Sequence, residues 1–286
     1  MDILHKQTKF TLGGNVMGEV IVITSGKGGV GKTTTSANIG TALALEGKKV
    51  VLIDADIGLR NLDVVMGLEN RIVYDLVDVI EGVCRLKQAL IKDKRFKGLF
   101  LLPAAQTRDK NAINPQQMKK LCEELKEQFE FVIIDCPAGI EQGFKNAIAG
   151  ADKAIVVTVP EVSAVRDADR IIGLLSSNDL PNPQLIINRL RIDMVKRGDM
   201  MNIEDSIDIL GIDLLGVVPD DERIIISSNR GEPVVIIEES MAGKAYRNIA
   251  KRLLGETVPF LNMETEESFM DKLLKLFSTK SKKRSY

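Results

Sequence analysis

Short apolar runs alternate along the chain with longer stretches in which apolar residues recur every three or four positions. The runs predict buried strands over residues 20–25, 49–54, 98–103, 131–135, 153–159, 184–188 and 213–217. The periodic stretches predict helices over residues 33–46, 114–128, 162–175, 201–210 and 243–254. This alternation is typical of an α/β protein with a mostly parallel, doubly wound sheet flanked by helices. Ligands of such sheets bind beyond the carboxyl ends of the strands, so we expect the chemistry there.

A glycine-rich turn joins the first predicted strand to the first predicted helix. Its sequence is Gly26-Lys27-Gly28-Gly29-Val30-Gly31-Lys32-Thr33-Thr34, which contains the phosphate-loop pattern of Gly, four residues and Gly-Lys-Thr. Glycines let the backbone approach phosphate oxygens closely, and the helix N-terminus adds a positive end. The pattern predicts that this whole stretch binds a nucleoside triphosphate. Lys32 would contact the β- and γ-phosphates, and the Thr33 hydroxyl would bind Mg²⁺.

Three aspartates follow predicted strands at the same edge of the sheet. Asp54 ends the second strand and is expected to hydrogen-bond the Mg²⁺ shell or to brace the phosphate loop, while Asp56 would hold a water in line with the γ-phosphate. An ordinary solvated turn is the alternative for these two residues. Asp135 ends the apolar run 131–135, a Walker B pattern that predicts a Mg²⁺ contact through water.

A second lysine, Lys27, lies inside the loop, where the phosphate-loop pattern requires no cation. From there it can reach phosphates bound by a second copy, as an arginine finger supplied in trans does. With this lysine, the loop resembles the deviant Walker A box of the MinD/ParA ATPases. The segments 54–63 and 135–141 resemble the two switch segments of that family, and the second is more similar to its MinD branch than to generic ParA proteins.

The resemblance implies a three-layer P-loop NTPase fold with ATP and Mg²⁺ as cofactors. It also implies an ATP-dependent homodimer in which Lys27 crosses the interface. Hydrolysis would be slow and stimulated by a partner, with Lys27, Lys32 and Asp56 as the catalytic residues. Glu161 is expected to meet Lys27 of the other subunit. The residues expected at the dimer or regulator face are Asn61, Glu141, Glu161, Asp167 and Asp169. For the helix that carries the last two, a solvated charged face is the alternative.

Polar residues after the sixth and seventh strands lie on the ligand side of the sheet, away from the phosphate loop. We expect the adenine ring near them, with the Asn188 amide at the edge of the base, a role that the resemblance supports. A simple turn former is the alternative for Asn188. The residues predicted for this part of the site are Asn188, Arg189, Pro219 and Asp221.

The sequence predicts a P-loop ATPase domain over residues 18–255, a polar linker over 256–267 and a basic amphipathic helix with a basic tail over 268–286. The apolar stripe of that helix consists of Phe269, Met270, Leu273, Leu274, Leu276 and Phe277. Such a helix is typical of a segment that binds anionic membrane lipids. Docking to the domain or to a partner is the alternative. Two tails in one dimer would bind more tightly than one, which would couple ATP to membrane residence.

Composition narrows the remaining possibilities. The net charge is −1 and there is no Trp, so we expect no specific nucleic acid. The only histidine is His5, and the three cysteines are scattered as in a reduced, cytoplasmic protein. Residues 1–17 show no periodicity, and we expect an unstructured leader with Met17 as the true start of the chain.

Within the MinD/ParA family, the resemblance to the MinD branch implies a protein that cycles between the cytoplasm and the cytoplasmic face of the inner membrane. It would recruit the division inhibitor MinC, respond to MinE or another topological regulator, and help to place the septum. A MinD-like regulator of flagellar number or placement is the first alternative. A ParA-type DNA-partitioning ATPase is less favoured because the core has no basic patch. A nitrogenase-like reductase lacks the cysteines it needs.

Overall fold

The computed structural model describes residues 11–12, 15–109 and 111–262. The predicted tail helix and residues 263–267 of the linker lie outside this part of the chain. The strands are β1 (Thr11–Leu12), β2 (Asn15–Val16), β3 (Glu19–Thr24), β4 (Val50–Asp54), β5 (Ile91–Lys92), β6 (Leu99–Leu102), β7 (Phe131–Asp135), β8 (Lys153–Thr158), β9 (Gln184–Leu190) and β10 (Leu214–Pro219).

Eight of these strands form one sheet in the order β10-β9-β8-β3-β7-β4-β6-β5. All neighbours are parallel except β5, which is antiparallel to β6 at the edge. Chain connections lead from β3 to β4 on one side and from β7 to β8 on the other. The direction therefore reverses beside β3, and such a reversal opens a crevice at the carboxyl ends of the strands.

The helices are α1 (Lys32–Leu45), α2 (Leu62–Val65), α3 (Leu76–Ile80), α4 (Leu86–Ala89), α5 (Pro115–Lys126), α6 (Gln142–Ile148), α7 (Val162–Ser176), α8 (Ile192–Arg197), α9 (Ile203–Leu210), α10 (Arg223–Asn229) and α11 (Met241–Leu253). Two 3-10 helices, Glu69–Arg71 and Val234–Ile236, complete the list for the described residues. Among these helices, none is both long enough and apolar enough to cross a bilayer.

Two apolar layers cover the faces of the sheet because successive strand residues point to opposite sides. On β3, Val20 and Val22 join the layer that includes α5, α6, α7 and α9. Ile21 and Ile23 join the opposite layer, formed mainly by α1 and α11. These strand residues are fully buried. The arrangement is the three-layer α/β fold that the pattern of apolar runs predicts, with helices on both faces.

The structure adds elements that the sequence pattern does not predict. Edge strand β5 and helices α2, α3, α4, α6, α8 and α10 are too short to show a clear period. Near the N-terminus the sequence predicts no structure, whereas Thr11 pairs with Val16 and Leu12 with Asn15 in antiparallel fashion. Whether Met17 is the true start stays a prediction.

Candidate functional site

The phosphate loop connects β3 to α1 and relies on left-handed backbone at two glycines. Gly29 has φ 77° and Gly31 has φ 99°, values that residues with a Cβ adopt at a cost. Gly31 is the N-cap residue of α1, and no side chain caps this helix end. The first backbone N–H groups of α1 are therefore left for a ligand, as expected for an anion site at a helix N-terminus.

Two neighbours fix the loop from opposite sides. At Gly26 an added Cβ would lie 2.2 Å from the backbone of Asp167 in α7. At Gly31 it would lie 2.4 Å from Nδ2 of Asn188, and this buried amide donates a 2.7 Å hydrogen bond to the Val30 carbonyl. The glycines thus serve close packing as well as backbone conformation, and the loop is held between α7 and the end of β9.

The two lysines of the loop point to different places. Lys32 is buried and donates to Ser25 Oγ over 3.0 Å, which keeps it within the loop. The Lys27 side chain is 42% exposed, and its Nζ contacts Glu161 Oε2 at 3.2 Å and Ser163 Oγ at 3.3 Å. The sequence predicts contact between Lys27 and Glu161 of another subunit. In the structure this pair forms within one chain, because Glu161 precedes α7 directly beside the loop.

Asp54 organises the first switch segment. Its buried carboxylate accepts hydrogen bonds from the backbone N–H groups of Asp56 at 3.0 Å and of Asn61 and Leu62 at 3.1 Å. Burial raises the pKa of Asp54 to about 6, with the Asp56 charge adding to the rise and these hydrogen bonds opposing it. The sequence predicts that Asp54 hydrogen-bonds the Mg²⁺ shell or braces the phosphate loop, whereas in the structure its carboxylate accepts hydrogen bonds from the backbone of the first switch segment. A metal role for it stays a prediction.

Asp135 lies directly beside Asp54, because β4 and β7 pair these two residues in register. Its carboxylate accepts from Ser36 Oγ at 3.1 Å. Burial, with the Asp54 charge adding to the rise, raises the pKa of Asp135 to about 7, against the lowering effect of the nearby Thr33 hydroxyl, Lys32 and Ser36. Two neighbouring carboxyl groups in a dry site therefore repel each other, and a cation would relieve the repulsion.

The donor set fits Mg²⁺ bound mainly by a nucleotide. Within residues 15–109 and 111–262, no group of three or more acidic, His or Cys side chains forms a complete metal cage. Mg²⁺ does not require one, since it usually takes one or two protein ligands together with phosphates and waters. The Thr33 hydroxyl in the first turn of α1 and the Asp135 carboxylate meet that requirement, because Thr33 lies near enough to lower the pKa of Asp135.

The remaining switch and partner residues are distributed around the loop. Asp56 is half-buried next to Asp54, and Asn61 is exposed at the N-cap of α2. Glu141 is exposed at the N-cap of α6. On α7, Asp169 is exposed and Asp167 is half-buried against Gly26. Of these residues, Asp167 is shown in contact with the loop, at Gly26, and the interface itself stays a prediction.

A cavity of about 400 Å³ adjoins the loop on the side of β9 and β10. Arg189, predicted near the base, lines it and has a left-handed φ of 54°. Pro219 ends β10 nearby. Asp221 does not line the cavity. Its carboxylate accepts from Ser240 Oγ at 2.7 Å and from the Arg223 N–H at 3.0 Å, at the starts of α11 and α10.

These contacts settle how Asp221 is used. Burial alone would raise the pKa of Asp221, but the hydrogen bonds outweigh it, so the pKa lies below its ordinary value. The carboxylate of Asp221 is ionised and hydrogen-bonded at the starts of two helices, and the neighbouring Asp220 lines the cavity. A contact of Asp221 with the nucleotide stays a prediction.

Comparisons with known proteins place this site in a family. The model of the CobQ/CobB/MinD/ParA nucleotide binding domain matches residues 21–234. The septum site-determining protein MinD of Bacillus subtilis (strain 168) is 61% identical over 268 residues, which cover 93% of this chain and all of that protein. The chain belongs to the MinD family.

Solved structures of MinD proteins share this architecture. The MinC:MinD cell division protein complex of Aquifex aeolicus contains a chain with 52% identity and a TM-score of 0.80, covering 85% of this chain and 99% of that one. The septum site-determining protein MinD complexed with Mg-ADP from Pyrococcus horikoshii OT3 has 31% identity and a TM-score of 0.76, covering 83% and 96%. Nucleotide binding through a P-loop NTPase fold is therefore shown for the MinD family to which this chain belongs.

Sequence reasoning missed several residues of the MinD-family site. Ser25 holds Lys32, and Ser36 holds Asp135 one helical turn after the loop. Met194 and Met200 line the cavity beside the loop. The sequence gives a weak indication of the role of Ser36, because this hydroxyl lies four residues after Lys32 on α1. It gives no indication for the two methionines, since they follow β9 in a segment whose pattern is typical of an ordinary surface helix.

Replacing Gly31 by Ala tests how the MinD-family loop is fixed. The left-handed φ costs about 1–2 kcal/mol for an L-residue, and the added Cβ collides with Asn188. We expect ADP affinity to fall roughly tenfold or more, with a lower unfolding temperature. Isothermal titration and thermal unfolding measure both. Gly28→Ala is the matched control, because its Cβ would meet Ala138 at an ordinary 3.8 Å. Equal behaviour of the two variants would contradict this account.

Proposed function

We propose that this MinD-family chain is an ATP-hydrolysing switch that dimerises on ATP, binds the inner membrane through its C-terminal helix and recruits a division inhibitor to place the septum. The names of its relatives support the septal role, because the Bacillus subtilis protein is a septum site-determining protein and the Aquifex aeolicus structure is a MinC:MinD complex. MinC is accordingly the proposed partner, and MinE or another topological factor the proposed regulator.

The divergence of the two loop lysines carries the proposal. Lys32 is directed inward, to Ser25 Oγ, where it would serve the phosphates of its own chain. Lys27 lies at the surface, at the mouth of the site. A cation on this outer side of the loop is positioned to contact phosphates bound by a second copy, provided that it leaves Glu161. It would then supply positive charge to the transferring phosphoryl group, as other trans-acting cations do.

The release of Lys27 costs little. Its side chain and that of Glu161 are 42% and 56% exposed, and an exposed ion pair of this kind stabilises by about 0–1 kcal/mol. A contact with two or three phosphate charges in a closed, poorly solvated interface is much stronger. The pair within one chain is therefore a weak resting position that ATP and a second subunit can displace.

Hydrolysis would use the groups around the two switch segments. Mg²⁺ supplies positive charge to the phosphate oxygens when it is bound, and the Pyrococcus horikoshii relative is a complex with Mg-ADP. Thr33 and Asp135 are the residues of this chain that would hold it. Asp56, half-buried at the start of the first switch segment, would orient the attacking water. Loss of the γ-phosphate would then be transmitted to the backbone of Asn61 and Leu62, which donate hydrogen bonds to Asp54.

The free hydrogen-bond acceptor of the Asn188 side chain indicates which base the site prefers. Asn188 Nδ2 donates to Val30, whereas its buried Oδ1 has no hydrogen-bond partner among the described residues. A leftover acceptor that meets C6 of the purine would favour adenine, which carries an amino donor at C6, over guanine, which carries a carbonyl there. This supports ATP, and not GTP, as the nucleotide.

The Lys27→Ala variant tests the role in trans. We expect ADP binding close to that of the wild type and loss of the ATP-dependent dimer, because the loop keeps Lys32 but no longer has a cation to offer a second copy. Size exclusion with light scattering measures the dimer. Lys48→Ala is the matched control, because Lys48 is another surface lysine in a 3.1 Å ion pair with a glutamate. ATP-dependent dimers of Lys27→Ala would refute the proposal.

The Asp56→Asn variant tests the assignment of the attacking water. The amide keeps the size of the side chain but removes its negative charge and its capacity as a base. We expect ATP-dependent dimers to form and stimulated hydrolysis to fall by about 10²–10⁴. Phosphate release per dimer measures the effect. Hydrolysis at the wild-type rate would remove Asp56 from the mechanism.

Vesicle binding tests the membrane part of the proposal. With vesicles of phosphatidylglycerol and phosphatidylcholine, we expect the full chain to bind with ATP about 10²–10⁴-fold more tightly than with ADP, because linking two weak sites gains this much. Leu273→Glu puts a charge into the apolar stripe and should abolish binding, whereas Ser278→Glu adds the same charge outside the stripe and should weaken it slightly. Equal binding of vesicles with ATP and with ADP would refute the proposed coupling of the nucleotide to membrane binding.

A further inference from the structure

An apolar groove of about 360 Å³ lies along β10, the edge strand farthest from β5. Its apolar walls come from α8, α9, β10 and the chain after α11. The residues that form them are Ile192, Ile203, Ile207, Leu214, Phe260 and Leu261. None of these side chains is fully buried, and Phe260 is 51% exposed. A concave apolar surface of this size is suited to a few inserted apolar side chains.

The chain leaves the described region at this groove. Arg252 of α11 holds the last segment in place by donating to the carbonyls of Val258 and Pro259 at 3.1 and 3.0 Å and to that of Leu215 in β10 at 3.0 Å. Its guanidinium also stacks 4.3 Å from the Phe260 ring. Asn262, the last described residue, itself lines the groove. The following residues therefore start at its rim.

The predicted tail helix matches the groove in reach. Six residues lie between Asn262 and Phe269, and the seven steps from one to the other, at about 3.3–3.6 Å each, span up to about 25 Å. The stripe from Phe269 to Phe277 would be about 13 Å long as a helix. A short helix can thus fold back onto the groove without strain on the linker.

Charge also matches. Helix α9 presents Glu204 at the groove, with Asp205 and Asp208 exposed on the same helix. The tail carries Lys272 and Lys275 beside its apolar stripe, followed by a basic run from Lys280 to Arg284. Oppositely charged surfaces favour this pairing over an uncharged or acidic partner segment.

We propose that residues 268–277 dock in this groove when the protein is off the membrane, so that the stripe is hidden from lipid until it is released. The inference rests on the proposed membrane role of the tail and adds a competing site for it within the same chain. Docking reduces the apparent lipid affinity by the fraction of tails that are free. A tail docked nine-tenths of the time would bind vesicles about tenfold more weakly than an undocked one.

Hydrogen exchange of the full chain with ADP and without vesicles tests docking directly. We expect amides of 269–277 and of α9 to be protected, and Ile207→Lys to speed exchange in the tail about threefold or more. Ile209→Lys is the matched control on the same helix, because Ile209 is 54% exposed and does not line the groove. Glu204→Lys, at an exposed position of the groove rim, gives the same test if Ile207→Lys fails to fold.

Three results would overturn docking. They are a tail that exchanges at unprotected rates in the wild type, a protected tail that the groove variants leave unchanged, and protection that rises with protein concentration. The last would assign the groove to a second copy.

The same variants on vesicles of equal parts phosphatidylglycerol and phosphatidylcholine separate this inference from the membrane proposal. With ADP, we expect Ile207→Lys to bind about threefold or more tightly than Ile209→Lys, which carries the same added charge. Equal binding of the two, with wild-type binding measurable, would overturn docking as a control on the membrane. A protected tail in a protein that binds no vesicle in either nucleotide state would uphold docking and refute the membrane role.

Discussion

Close packing of the phosphate loop against two neighbours is the constraint on which the site depends. Gly26 lies against the backbone of Asp167, and Gly31 lies against the Asn188 amide that holds Val30. The position of the loop is therefore fixed by α7 and β9 as well as by β3 and α1. A displacement of the loop by a nucleotide must be shared by these elements, because packed interiors deform little.

The buried carboxyl pair gives the site its sensitivity to charge. Asp54 and Asp135 are neighbours in register on β4 and β7, and burial raises the pKa of each. Asp54 is satisfied by the switch backbone, whereas Asp135 depends on two hydroxyls and on Lys32. Because the two carboxylates repel, a cation brought by a nucleotide stabilises both. Charge at the phosphates is thereby linked to the conformation of the first switch segment.

Patterns with a physical period were predictable, and contacts between distant segments were not. Continuous apolar runs and long helical periods predicted every long element, and the Gly-Lys-Thr spacing located the loop. The position of Asp221 after a strand predicts a contact with the base, but not that its carboxylate holds the starts of two helices while Asp220 lines the cavity. Likewise, no local pattern shows that Glu161 meets Lys27 within one chain. These contacts depend on the conformation of the turn that follows each strand, because the turn decides which of several neighbouring polar side chains faces the site.

Weak interactions explain how such a site can act reversibly. The ion pair between Lys27 and Glu161 is exposed on both sides, and in the proposed membrane role one short amphipathic stripe would act like a single lipid anchor, which binds only marginally. If either interaction were strong, the protein would remain in one state regardless of its nucleotide, because a ligand shifts an equilibrium only by its differential affinity. The proposed docking of the stripe in the groove would lower the lipid affinity of a single tail further, so that the singly anchored protein leaves the membrane more readily.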